Sequence, residues 1–231
     1  MQQLHNLREA RKKARVQHIN LLRGILRELG VAAPSGTQAF LRQACELIER
    51  PEVCALRGAL QMVLAEISLC EQSMRDSEEQ LARWHADDDI VHKLDEVSGI
   101  GLLTASALKT AVGKPERFAS GRHLSAWLGM TPNEYSSGER RRLGCISCKG
   151  NTYVRTLLIH GARAALLAAK RCQTRTPERL TQLQRWALQT AERIGHNKAA
   201  VALANKLVRI CWAVWCHERR FSGDWQSARP A

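Results

Sequence analysis

Two adjacent serines, Ser136 and Ser137, precede Gly138, Glu139 and three consecutive arginines, Arg140, Arg141 and Arg142, in the segment TPNEYSSGERRRLGCISCKGN. A serine with small neighbours is accessible, and cations beside it stabilise negative charge developing on a phosphate. The segment therefore has the parts of a phosphoryl-transfer nucleophile at Ser137, with Ser136 as its natural control. The same residues suit a flexible basic loop that touches phosphates without chemistry. Hydrolysis of esters or peptides is not indicated, because no histidine stands near the serines at Ser-His-Asp spacing, and His160 further on reads as structural. Cys145 and Cys148 form a C-x-x-C, but zinc needs two more ligands and no second such pair accompanies them, so no metal site is expected in this chain.

Charge names the class of partner. The 231 residues hold 35 Lys and Arg against 22 Asp and Glu, a net charge of +13, which calls for a polyanion. From Glu139 to Arg175 the cations Arg140, Arg141, Arg142, Lys149, Arg155, Arg163, Lys170, Arg171 and Arg175 face the single carboxylate Glu139, while the carboxylates gather between Glu71 and Asp89. Nucleic acid and anionic membrane both fit such a field. The stretch Lys198 to Cys216 is the candidate membrane span. It carries Asn205, Lys206 and Arg209, each charge costing roughly 2.5–3.5 kcal/mol near a bilayer centre, so a buried helix is expected and no membrane partner. No apolar leader follows Met1, and the 8 cysteines then read as free thiols in a reducing cytoplasm.

These residues need elements to position them, and periodicity predicts a mainly α chain. Leu4, Leu7, Arg11, Ala14, His18, Leu21, Ile25 and Glu28 follow three- and four-residue steps up to the break at Gly30–Gly36. Leu56, Leu60, Val63, Ile67, Cys70, Met74, Ser77, Leu81 and Trp84 repeat the pattern, which is coiled-coil spacing. The two helices are expected to pair, with a short helix from Thr37 to Glu49 between them. Asp87, Asp88 and Asp89 suit the capping of a following helix, and a boundary is placed there: a helical coiled-coil region over 1–89, a second domain over 90–220 and a tail over 221–231.

In the second domain, Leu94 to Gly101 leads into Leu102–Val112 as a short helix, a G-x-G hairpin and another helix. Gly99 and Gly101 would let the backbone approach a phosphate at a helix N-terminus, a helix-hairpin-helix pattern framed by Leu94, Val97, Ile100 and Ala105. A short helix follows Gly121, Thr131-Pro132 opens the polar serine loop, and helices are expected over Asn151–Lys170, Pro177–Arg193 and Lys198–His217. Lys149, Arg155 and Arg163 join the phosphate-contacting set. Asn205, Lys206 and Arg209, amid apolar neighbours, are either a packed network or phosphate contacts.

The run from Leu94 to Trp215 resembles the transposase domain of insertion-sequence family 110, particularly its 1111 subgroup, through SGIGLLTASAL, ERFASGRHLSAWLGMTPNEYSSG, RRLGCISCKGNTYVRTLLIHGARAAL and HNKAAVALANKLVRICWAVW. LREARKKARVQHINLLRGILRELGV is similar to the subgroup's helical region. The resemblance implies a bacterial, DNA-associated recombinase guided by an element-encoded bridge RNA, and the long helices are expected to mediate a homo-oligomer. It implies that the serine of the Ser-Gly step, Ser137, forms a covalent phosphoserine link to DNA. It also implies an amino-terminal ribonuclease-H-like domain whose Asp-Glu-Asp-Asp set binds magnesium. Nothing between Met1 and Asp89 reads as that fold, so a truncated or interrupted copy or a mistaken start codon, giving a chain inactive alone, is expected, and ISCKGN departs from relatives that carry a basic residue at Cys148. The alternative is a non-catalytic nucleic-acid-binding remnant; a membrane or scaffold protein built on the long helices leaves the serine segment unexplained.

Overall fold

The computed structural model describes residues 1–140 and 142–224. The fold is mainly α, and the chain divides into two units, Met1–Arg83 and Trp84–Ala231.

In the first unit α1 (Gln2–Glu28), α2 (Thr37–Ile48) and α3 (Arg57–Trp84) are joined through a 3-10 turn at Pro51–Leu56. The end of α1 is set locally. Gly30, at φ 75°, lets Gly30 N–H reach Arg27 O and Val31 N–H reach Leu26 O, and Val31 is buried, the pattern of a Schellman stop. Helices α1 and α3 run antiparallel, since Arg8 pairs with Glu78 at 2.6 Å, Arg15 with Glu71 at 2.7 Å and His18 with Glu66 at 3.1 Å. Exposed pairs of this kind contribute about 1 kcal/mol or less each, so they fix register more than stability.

The expected seam holds along the middle of α3, where Leu60, Ile67, Cys70, Ser77 and Leu81 are buried, but not at its ends, where Leu56, just before it, and Trp84 are exposed. On α1 it is displaced by one residue. The buried side chains are His5, Ile19, Leu22 and Leu26, while Leu7 and Leu21 are about half exposed. One residue is a rotation of about 100° about the helix axis. Period alone could not choose between the two stripes, because apolar and basic residues alternate on this helix. Burial of Ile19, Leu22 and Leu26 in the core with α2 and α3 decides it. Phe40, Ala44, Leu47 and Ile48 of α2 complete this core.

In the second unit α4 (Asp89–Asp95), α5 (Leu102–Val112), α6 (Gly121–Trp127), α7 (Thr152–Arg175) and α8 (Gln182–Ile194) surround or adjoin α9 (His196–Cys216), which packs against α4, α6, α7 and α8. Polar residues start these helices: Asp88 accepts from Val91 N–H, Ser120 from His123 N–H and Asn151 from Val154 N–H, while Thr181 and Gln184 form a capping box. That box corrects the expected helix over Pro177–Arg193. Pro177–Arg179 is a 3-10 turn, Leu180 is extended, and α8 starts afresh beyond Thr181.

The polar loop is also corrected. β1 (Pro132–Glu134) and β2 (Leu143–Ile146) form an antiparallel hairpin across it, with a register shift between Pro132 and Glu134. By length and composition two helical stretches could cross a membrane, Pro51–Trp84 as well as the expected His196–Cys216. Half of the apolar window of α9 is buried in the core of its own unit, as expected of a core helix. Its thiol Cys211 is fully buried, and burial pushes it up to about 12, so it packs as a small hydrophobe.

Candidate functional site

The serine segment is a hairpin whose tip turns through Gly138 and Glu139. Ser137 and Arg140 exchange both backbone bonds, Ser137 N–H to Arg140 O at 3.3 Å and Arg140 N–H to Ser137 O at 3.1 Å. Gly138 has φ 55° and Glu139 is not among the positive-φ residues, the requirement of a two-residue turn with glycine first. The Ser-Gly step therefore places Ser137 at the last paired position before the turn.

The two serines differ in what holds them. Ser136 Oγ donates to Glu134 Oε1 at 2.7 Å and accepts from Arg142 N–H at 3.1 Å, so it is consumed in tying the hairpin together. Ser137 is exposed, and among the described residues its Oγ makes no hydrogen bond. No base stands against it there either. A neutral hydroxyl of this kind attacks a phosphodiester only when a base or a metal-organised group takes its proton. Among the described residues no group of three His, Cys, Asp or Glu converges, and the magnesium that the resemblance implies belongs to the amino-terminal Asp-Glu-Asp-Asp set.

The base of the hairpin is stapled. Cys148 N–H donates to Gly129 O at 3.1 Å and Ser147 N–H to Thr131 O at 2.9 Å. The backbones approach so closely that a Cβ on Gly129 would overlap Lys149 O, and one on Gly150 would overlap Trp127 O. Below them Arg155, only 8% exposed, donates to Leu128 O at 3.1 Å, Lys149 O at 3.2 Å and Thr152 Oγ1 at 3.2 Å. Asn205 Nδ2 of α9 donates to Met130 O at 2.9 Å. The exposed serine thus stands on a fixed mount.

These contacts sort the expected phosphate-binding residues. Arg140, Arg142 and Lys149 are exposed on or beside the hairpin, and Arg163 is exposed on α7. Arg141 lies outside the described residues. Arg155, expected at a phosphate, is instead buried and donates to two backbone carbonyls and the Thr152 hydroxyl, while Asn205 donates to Met130 O, the packed-network alternative for that residue. Lys206 Nζ sits 4.1 Å from the centroid of the Trp186 ring, and burial together with the nearby charge of Arg209 holds its pKa below the ordinary lysine value. Arg209 is exposed, with its backbone packed against Gly121.

Gly99, expected at a phosphate, lies against α7 instead. A Cβ there would come 2.8 Å from Gly161 O, and a Cβ on Gly161 would overlap Gly99 O. The glycine pair brings the α4–α5 turn onto α7. Gly101 is exposed and opens α5 without a side-chain cap.

One constellation was not expected. His85 Nδ1 lies 3.0 Å from Asp88 Oδ2 and His85 Nε2 lies 2.9 Å from Ser106 Oγ, the order of an Asp-His-Ser triad. Ser106 is fully buried, so no substrate reaches it. The group is structural: Lys109 Nζ also pairs with Asp88 Oδ2 at 2.5 Å. Burial alone would raise the Asp88 carboxyl. Hydrogen bonds from Lys109, His85 and Val91 N–H and the Lys109 charge outweigh it and hold the carboxyl at about 2. Its sequence signal is slight, a histidine three residues before a helix cap. Tyr135, 66% exposed on the hairpin, was also overlooked, although an aromatic beside a serine in a basic segment is a legible cue.

Residues 91–177 match the family model of the IS116/IS110/IS902 transposases. The chain is 35% identical over 222 residues to a Pseudomonas aeruginosa protein named "Probable family 20 transposase", covering 94% of this chain and 64% of that protein. It is 33% identical over 225 residues to the transposase for insertion sequence element IS1111A of Coxiella burnetii, covering 96% and 60%. It is likewise 33% identical over 227 residues to the transposase for element IS1328 of Yersinia enterocolitica, covering 96% and 64%. The chain therefore spans 60–64% of the length of these three relatives. Over residues 91–177, the segment that holds the serine hairpin and its mount, the chain carries the transposase domain of the IS116/IS110/IS902 family.

Proposed function

We propose that this chain is a DNA-transposition module in which Ser137 is the nucleophile for strand cleavage and rejoining. The observation that carries the reading is the inequality of the two serines: Ser136 is locked between Glu134 and Arg142, and Ser137 is exposed, its hydroxyl making no hydrogen bond among the described residues. In the reaction, Ser137 Oγ bonds to phosphorus, the bond from phosphorus to one deoxyribose oxygen breaks, and a sugar hydroxyl leaves. The serine proton passes to a base outside the hairpin, and reversal with a different sugar hydroxyl rejoins the strand. Arg140, Arg142 and Lys149 offset phosphate charge, Arg163 extends the basic surface, and the α5 N-terminus at Gly101 adds backbone N–H donors. The family resemblance adds an element-encoded guide RNA as partner and a carboxylate domain that completes the site, and the coiled-coil pair α1 and α3 assembles a homo-oligomer.

The test is covalent capture. End-labelled element DNA and guide RNA are mixed with the chain together with the ribonuclease-H-like part of a relative, and adducts are resolved on a denaturing gel. Wild type and Ser136→Ala form a phosphoserine adduct and Ser137→Ala does not; an adduct with Ser137→Ala overturns the assignment. The lack of a base beside Ser137 among the described residues favours a second reading, a nucleic-acid-binding protein without chemistry, and binding without any adduct in the complemented mixture supports that one.

A further inference from the structure

Tyr135 stands two residues ahead of Ser137, and strand side chains alternate, so the two share one face of the hairpin arm while Glu134 and Ser136 share the other. The Ser136–Glu134 hydrogen bond agrees with that assignment. The ring is seated. At Gly144, on the opposite arm, a Cβ would come 2.8 Å from Tyr135 Cε2 and 3.5 Å from Cδ2, so the ring edge occupies room that a side chain would fill. Tyr135 N–H also donates to Arg142 O at 2.8 Å, fixing the backbone beneath it. Yet 66% of Tyr135 stays exposed, in a segment whose neighbours are Arg140, Arg142 and the free serine.

A large aromatic held against glycine and left open to water among cations is costly to leave bare and ready to stack. We propose that Tyr135 is a stacking platform for an unpaired nucleobase, which sets the flanking phosphodiester beside Ser137. The proposal rests on the reading of the hairpin as a DNA-contacting element. Two residues along a strand span about 7 Å, the scale of one nucleotide, so a base on the ring and a phosphate at the hydroxyl belong to the same nucleotide step. Stacking accepts any base, because each has a π-face, and Arg140 and Arg142 supply the cations that track the backbone. The platform gives the hairpin a preference for single-stranded or locally unpaired DNA, and it makes Tyr135 a positioning residue. If the ring serves only to cover Gly144, any side chain of similar bulk replaces it.

The full chain is titrated into a single-stranded oligonucleotide carrying 2-aminopurine, and separately into the matched duplex, with wild type, Tyr135→Leu and Tyr135→Trp. Wild type and Tyr135→Trp quench the 2-aminopurine. Tyr135→Leu loses the quench and binds the single strand roughly ten-fold more weakly, while its salt-dependent duplex binding stays within about two-fold. Quenching and affinity unchanged in Tyr135→Leu, or lost equally in Tyr135→Trp, overturn the platform while leaving the hairpin as a DNA contact. Failure of wild type to bind either DNA overturns both.

Discussion

At the scale of single residues, identical chemistry has opposite uses depending on what surrounds it. Arg155 and Arg163 are both arginines of α7, read from sequence as phosphate contacts. Arg155 is buried beneath the hairpin with two backbone carbonyls and a hydroxyl as acceptors, whereas Arg163 is exposed. Arg155→Ala leaves Leu128 O and Lys149 O without that donor and should cost about 2–3 kcal/mol in urea unfolding, and Arg155→Lys should recover little, because a single ammonium cannot serve the forked set. Arg163→Ala should change stability by less than about 0.5 kcal/mol and lower the salt dependence of nucleic-acid binding by about one unit of slope. Equal effects of the two substitutions on stability would contradict the sorting. The serines obey the same logic: sequence marks the pair, and only the contacts of Ser136 tell which hydroxyl is free.

At the scale of elements, the register of α1 and the seating of the α4–α5 turn each depend on one face. Leu22 is fully buried and Leu21 is 50% exposed, so Leu22→Ala should lose about 2–5 kcal/mol and Leu21→Ala almost nothing. The reverse order in thermal or urea unfolding would restore the seam that periodicity alone suggested. At the other junction, Gly161→Ala drives a methyl group into Gly99 O. It should cost about 2 kcal/mol or more and loosen the α4–α5 turn from α7, seen as faster amide exchange in α4 and α5. An Ala substitution there normally favours a helix, so a stabilised variant would show that the close approach is not what the glycine is for.

For the whole molecule the measurable property is acid stability. Asp88 has its carboxyl held at about 2 against an ordinary 3.8, so its folded-state pKa is depressed. Its contribution is complete above the unfolded value and is lost as pH falls from about 4 to about 2. The shift corresponds to about 2 kcal/mol, carried by a side chain 18% exposed. Between pH 6 and pH 2.5 unfolding free energy should therefore fall by about 1.5 kcal/mol more in wild type than in Asp88→Asn, which also leaves Lys109 without its carboxylate partner. An equal drop in both proteins would remove Asp88 from the account. At neutral pH the network keeps the cap of α4 and the buried His85 in place, ahead of the part of the chain that carries the family match.

What the sequence by itself determined was local. Caps, glycine stops and three- and four-residue periodicity act within about four residues, and they located the long helices, with α8 starting late because a capping box outranked the apolar pattern. The mainly α class was legible in this way, whereas the family and the Ser-Gly step were legible through the resemblance of four segments between Leu94 and Trp215. What tertiary structure decided depends on residues far apart in the chain. Arg155 is spent because Leu128 lies above it, Asn205 is spent on Met130 75 residues away, and Gly99 is closed because Gly161 meets it. The hairpin, too, was hidden. Its two arms are polar and exposed and show no hydrophobic alternation, so its pairing became visible only through the backbone hydrogen bonds and the glycine contacts at its base. Burial and pairing are set by whichever distant group arrives first to satisfy a donor or fill a space, and one-dimensional spacing carries no record of that.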